Sequence, residues 1–260
     1  MTARAFGIGA LTCVLLALVP AGAVAVAERA SLQASFSPDR LATPTTISFS
    51  FELSTLAGTA PAPLTRIDLR MPAGLNYTTT TLGLALCNPE ALVAHGLSGC
   101  PANSRLGYGD AAVEVPFGSG AGHEIPEIQA VAGPSKSGNM EVLFYAKGLY
   151  PVLAQLAFTG EVLPDSGLFG SQLATSVPLI ASVPGGPDVS ITRVSTTIGP
   201  RHLTYYKRVH GRRVAFTPRG VAVPARCPRG GFPFAASFAF LDGTEASATT
   251  TVPCPSRRDG

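Results

Sequence analysis

Asp110, Glu114, His123, Glu124 and Glu127 are the densest gathering of potential metal ligands and acid–base groups in this chain of 260 residues. Asp110 and Glu114 share a parity, so an extended backbone sets both on one strand face, and His123 and Glu124 follow at the end of the Gly-rich stretch 116–122. Oxygen ligands at that density could hold calcium, and two facing carboxylates could serve as general acid and base. The spacing matches no characteristic pattern, however, and carboxylates on the wet face of a strand are ordinary. A carbohydrate-active or metal-dependent hydrolase using residues 110–127 is therefore the alternative reading, and it requires at least two of these groups to converge in a concave pocket.

The second feature is a change of charge along the chain. Ser31 to Thr192 carries 12 acids and 6 bases, whereas Arg193 to Arg229 carries nine bases and no acid. At its centre, Tyr205-Tyr206-Lys207-Arg208-Val209-His210-Gly211-Arg212-Arg213 reads as a hairpin turning at His210-Gly211. That register puts Arg208 directly opposite Arg213, which is destabilising unless solvent, salt or an anion screens the pair. With Lys207, Arg208, Arg212 and Arg213 on one exposed face the hairpin would bind an anionic cell-wall polymer or glycan. No reader of specific nucleic-acid sequence is expected. The rival reading is an exposed hairpin whose charges are merely solvated.

Other motifs fall away. Gly118-Ser119-Gly120 lacks the spacing of a nucleophile elbow, Asp165-Ser166-Gly167 has no supporting histidine context, and Leu163 to Gly167 resembles a wall-sorting pentapeptide without the apolar tail that such signals need. No C-x-x-C or H-x-x-x-H spacing occurs, so neither zinc nor another cofactor is expected. Asn76-Tyr77-Thr78 is a glycosylation sequon in a host that modifies such sites.

The compartment follows from the ends and the cysteines. Arg4, the apolar run Phe6 to Val19, the break at Pro20 and Gly22 and the small-x-small triplet Ala25-Val26-Ala27 make residues 1–27 a signal peptide, with an uncleaved anchor as its rival. Cys13 leaves with that leader, and no membrane span follows it. Four cysteines remain, Cys87, Cys100, Cys227 and Cys254, an even number that suits an oxidising exterior. Three pairings are possible. Proximity favours Cys87–Cys100 and Cys227–Cys254, closing loops of 14 and 28 residues and stabilising the fold by about 3 to 4 kcal/mol each on the chain-entropy model.

These groups must be positioned by strands. The composition of 46% apolar and 13% charged residues, with 28 Gly and 23 Pro, is that of many short strands and turns. Thr46 to Ser54 alternates cleanly, with Ile47, Phe49, Phe51 and Leu53 on one face and Ser48, Ser50 and Glu52 on the other. Phe232 to Phe240 sets every Phe on one parity, and Asp242-Gly243 turns it back toward Val252. A two-residue loop would set Phe240 against Glu245. A three-residue loop, Leu241-Asp242-Gly243 with Gly243 left-handed, instead pairs Phe238 with Ala246, Ala236 with Ala248 and Phe232 with Val252, and is the register expected. One helix is predicted near 89–95, with Asn88 as N-cap, Pro89 at its first position and Gly96 after it. The fold class is all-β, an antiparallel β-sandwich, immunoglobulin-like or elaborated, over residues 28–260; two smaller sandwiches split near 116–122 are the alternative.

The leader, Cys87-Asn88-Pro89 through Gly99-Cys100-Pro101, Ser104 to Gly109 after it, and Cys227-Pro228 through Pro253-Cys254 together resemble exported all-β proteins of actinobacteria. The resemblance covers most of the chain after the leader and implies export and two local disulfides; that group has no assigned activity, so it implies no reaction. The expected function is thus a secreted or surface-associated, non-catalytic binding or structural β-module.

Overall fold

The computed structural model describes residues 27–75, 85–151, 153–199, 201, 203–218 and 220–255. The leader up to residue 26 and the Asn76 sequon lie outside them. The strands are β1 (Glu28–Ser37), β2 (Pro44–Thr55), β3 (Leu64–Pro72), β4 (Arg105–Phe117), β5 (Gly120–Glu124), β6 (Glu127–Ala132), β7 (Met140–Gly148), β8 (Ala154–Pro164), β9 (Phe169–Ser176), β10 (Ser190–Ile198), β11 (Tyr205–Val209), β12 (Arg212–Phe216), β13 (Val221–Ala222), β14 (Phe232–Phe240) and β15 (Glu245–Val252).

Thirteen of them form one antiparallel sheet whose main path runs β1-β2-β10-β4-β6-β7-β8-β9-β3-β14-β15, with β5 added beside β4 and β13 beside β2. The two edge strands of this path, β1 and β15, come to lie side by side, so the sheet curls into a nearly closed barrel. The chain is all-β, as its composition implies, but two opposed sheets are not what it builds. A sandwich and a barrel demand the same alternation of dry and wet residues, so the pattern in each strand fits either. Residues 116–122 belong to the β4–β5 hairpin, whose strands both lie in this one sheet.

The barrel interior is built by the alternation. Ile47, Phe51 and Leu53 of β2, Ala111, Val113 and Val115 of β4, and Phe232, Phe234, Ala236, Phe238 and Phe240 of β14 are all buried in one core. Phe36 meets Phe232 edge-on at 5.4 Å between centroids, and Phe51 lies 4.8 Å from Phe238. The closing hairpin takes the expected register, Phe232 with Val252, Ala236 with Ala248 and Phe238 with Ala246, and Gly243 has φ +82. Aligning the aromatic face with alanines and Val252 keeps every Phe in the core, and Asp242 Oδ1 accepts the Thr244 amide at 3.0 Å to close the turn.

Helix α1 (Pro89–His95) lies on the outside. Asn88 Oδ1 accepts the amides of Glu90 and Ala91, and the Gly96 N–H donates to Leu92 O. Its Leu92 packs with Cys87 against Val131 of β6 and Leu143 of β7, outward-facing apolar residues that it takes out of water. A helix of two turns is marginal alone. Here it is fixed by that contact and by the Cys87–Cys100 disulfide, and Cys227–Cys254 clasps the base of the β14–β15 hairpin. Both pairings are those expected from proximity.

Candidate functional site: an apolar chamber inside the barrel

The residues first suspected of chemistry meet only in cross-strand pairs, Asp110 with Glu127 and Glu114 with His123, and not in one pocket. On β4 the inward parity belongs to Ala111, Val113 and Val115, so Asp110 and Glu114 point outward. Asp110 accepts a hydrogen bond from Arg193 Nη2 at 2.7 Å, Glu114 stands opposite His123, and Glu127 stands between Asp110 and Lys147 in the ladder. Glu124 alone turns inward and is buried. Among the described residues Glu124 alone of the five lines the chamber inside the barrel, and His123 alone lines the cleft beside Phe117. Among the described residues no group of three or more His, Cys, Asp or Glu side chains is arranged to hold a metal ion.

The basic hairpin has the predicted register. Arg208 is paired with Arg213, and the turn uses His210 at φ 47 and Gly211 at φ 79. Tyr205 is its root. Its ring is buried against Phe216, its hydroxyl donates to Arg105 O, and burial pushes its phenol up to about 12. Asn103 fastens the neighbouring strand edge, accepting the Tyr206 amide and donating to Tyr206 O. The four cations, however, are not on one face. Parity puts Lys207 and Arg212 on the side of Tyr205 and Phe216, whereas Arg208 and Arg213 lie on the side of Tyr206, whose ring sits 3.7 Å beneath the Arg213 guanidinium. The single cationic face expected from sequence is thus divided two and two.

A concave feature lined almost wholly by apolar side chains lies inside the barrel. Eight strands give an interior that side chains just fill, and the diameter grows with strand number, so an eleven-strand circuit leaves space unless large residues occupy it. Near the far end Phe36, Phe232 and Phe234 do so. Toward the other end the wall includes smaller residues, Ala111, Ala146, Ala154 and Ala236, and a chamber of about 150 Å³ remains. Phe51, Leu69, Val113, Phe144, Leu156 and Ile191 contribute to its wall, and Val177 to Ile180, leading from β9 toward β10, fold across it. Phe144 and Phe158 stack on its wall at 5.2 Å.

Three polar side chains reach this wall: Glu124, Thr175 and Thr196. Glu124 Oε1 accepts the Tyr150 amide at 3.0 Å, so the carboxylate is tied to the turn between β7 and β8. It lies directly over Gly148, where a Cβ would stand 2.4 Å from Oε1. Thr196 Oγ1 is buried and has no hydrogen-bond partner among the described residues. Such a group costs about 1–3 kcal/mol, so its place on the wall of an otherwise greasy chamber singles it out.

No protein-family model, curated protein or solved structure matches this chain. The chamber had one legible trace in the sequence, which the strand pattern leaves aside: Gly148-Leu149-Tyr150-Pro151-Val152-Leu153 joins two strands without a single charged residue. A connection solvated in the ordinary way is polar.

Proposed function

We propose that the chain is an exported, non-catalytic binding module that carries a small apolar molecule within its barrel. The observation that carries this reading is the 150 Å³ chamber walled by Phe, Leu, Ile, Val and Ala. A largely apolar cavity of that size takes a benzene-sized guest. Of the three polar side chains on its wall, Thr196 offers a buried hydroxyl without a partner among the described residues, which favours a guest with a polar atom beside its apolar body, such as a phenol, an indole or the head of a short alkyl chain. Export is supported by the leader and by two disulfides, which persist in oxidising compartments.

Titration with indole tests the reading, because the chain contains no Trp and indole emission is free of background. Saturable binding with a blue-shifted emission is expected, weakened at least several-fold in Thr196→Val. Emission that stays at its aqueous wavelength up to the solubility limit would remove the proposal.

A second reading keeps the basic hairpin as an anion site. Among the described residues Lys207, Arg208, Arg212 and Arg213 make no ion pair with a carboxylate, and the first three are exposed along with Arg213. With the charges split between two faces, this favours a flexible polymer that wraps the hairpin over a flat anionic surface. Binding of an anionic glycan that weakens steeply with salt and is lost when all four charges are neutralised would support it.

A further inference from the structure

The loops around the mouth of the chamber carry apolar side chains that remain exposed to solvent. Leu149 and Leu153 are 67% and 72% exposed and Tyr150 is 82% exposed, all in the turn between β7 and β8. Leu179, in the segment that folds across the chamber, is 44% exposed. Phe117, at the tip of the β4–β5 hairpin, is 39% exposed and shares a cleft with Tyr150 and Pro151. The strand directions put these groups at one end. β4 and β9 run toward it, β6, β8 and β10 run away from it, and β7 delivers the turn to it.

We propose that this end of the barrel docks on a lipid bilayer, with the turn between β7 and β8 as its inserting tip. Three observations favour a bilayer over a protein partner. The tip has no charged side chain over residues 148–153, and its Tyr150 joins an apolar ring to a polar hydroxyl, the combination that sits at a membrane interface. The chamber lies directly behind it, lined on that side by Gly148 and Ala154, so an apolar guest would pass between lipid and barrel without crossing water. The chain also enters β1 at this end: antiparallel pairing sets Glu28 beside Thr55, the end at which β2 finishes and β3 begins. The apolar run Phe6 to Val19 precedes β1 by eight residues, so while that run is in a membrane this is the end tethered beside it.

The experiment uses the absence of Trp. Tyr150→Trp puts a reporter at the tip, and Leu168→Trp puts one at the opposite end, in the turn between β8 and β9. Each chain is mixed with phosphatidylcholine–phosphatidylglycerol vesicles containing lipid brominated along its acyl chains. The expected result is a blue shift and strong quenching at position 150 and neither at 168. Adding Leu149→Ser and Leu153→Ser should weaken vesicle binding of the Tyr150→Trp chain by roughly a hundredfold, the consequence of taking two leucines out of the bilayer. A reporter at 150 that stays unquenched, equal quenching at both ends, or quenching that survives both serines overturns the proposal. So does a blue shift without vesicles that grows with protein concentration, because the occupant of this face would then be a second copy of the chain. Indole binding in solution reads the chamber separately, so failure of docking and failure of the chamber are distinguishable.

Discussion

Filling the chamber should make the protein more stable and less able to bind. Ala146 lies on β7 between Ile128 of β6 and Leu156 of β8, with its methyl on the chamber wall. A void of about 150 Å³ forfeits roughly 3–4 kcal/mol of packing at about 24 cal/mol per Å³. Ala146→Leu adds three carbons, each contributing about 0.8 kcal/mol when buried, for an upper limit of roughly 2 kcal/mol. After partial strain, a gain of about 1–2 kcal/mol remains, seen as a rise of several degrees in Tm and a higher urea midpoint at unchanged slope. Indole affinity should fall at least tenfold in the same variant. If the interior is in fact filled, the three carbons overpack it and the variant loses about 1–3 kcal/mol. A destabilised variant that still binds indole would refute the reasoning, since the added side chain would then be displacing structure and not space.

Three further outcomes follow from the same geometry. Thr196→Val replaces an unpartnered buried hydroxyl with a methyl of the same shape, and urea unfolding should show the ligand-free protein unchanged or up to about 1–3 kcal/mol more stable. Gly148→Ala puts a methyl where the end of the Glu124 side chain lies, so the carboxylate must swing aside; the lost bond to Tyr150 should cost about 0.5–1.5 kcal/mol, and the Tyr150 amide should exchange faster by hydrogen–deuterium exchange. Tyr205 makes the fold sensitive to alkali: its phenol ionises near 10 when unfolded and near 12 when buried, so stability intact below pH 10 is lost as pH rises from 10 to 12. Tyr205→Phe should flatten that alkaline limb, removing a change of at most roughly 2–3 kcal/mol, at the expense of the bond to Arg105 O at every pH.

What the sequence disclosed is what local patterns encode. The β14–β15 register was legible because four aromatic residues of one parity tolerate only one alignment with Ala246, Ala248 and Val252. The His210-Gly211 turn, the caps of α1 and both disulfides are also short-range, fixed by residues a few positions apart or by one closed loop. The insertion of β10 between β2 and β4 was not legible. Ser195 pairs with both Ser50 and Asp110, and nothing in its neighbourhood names those partners.

The site was hidden for a related reason. Inward alternation marks a residue as dry whether it faces another side chain or an empty volume, so Ala111, Ala146 and Ala236 read as ordinary core. Glu124 was grouped with its acidic neighbours, although it pairs with the inward-facing Val113 and shares the parity of Ile128, so its carboxylate turns inward, away from Glu114 and Glu127. The charges of the hairpin were counted correctly, but their division between two faces follows from strand parity, which a count does not contain.

The chamber itself is most directly tested by diffraction from a crystal pressurised with xenon. Xenon enters dry apolar cavities of this size, so a single strong anomalous peak is predicted within the barrel, bounded by Phe51, Val113, Phe144 and Leu156. An interior closed by side chains, or a barrel that takes up no xenon while other sites on the protein do, would contradict the account.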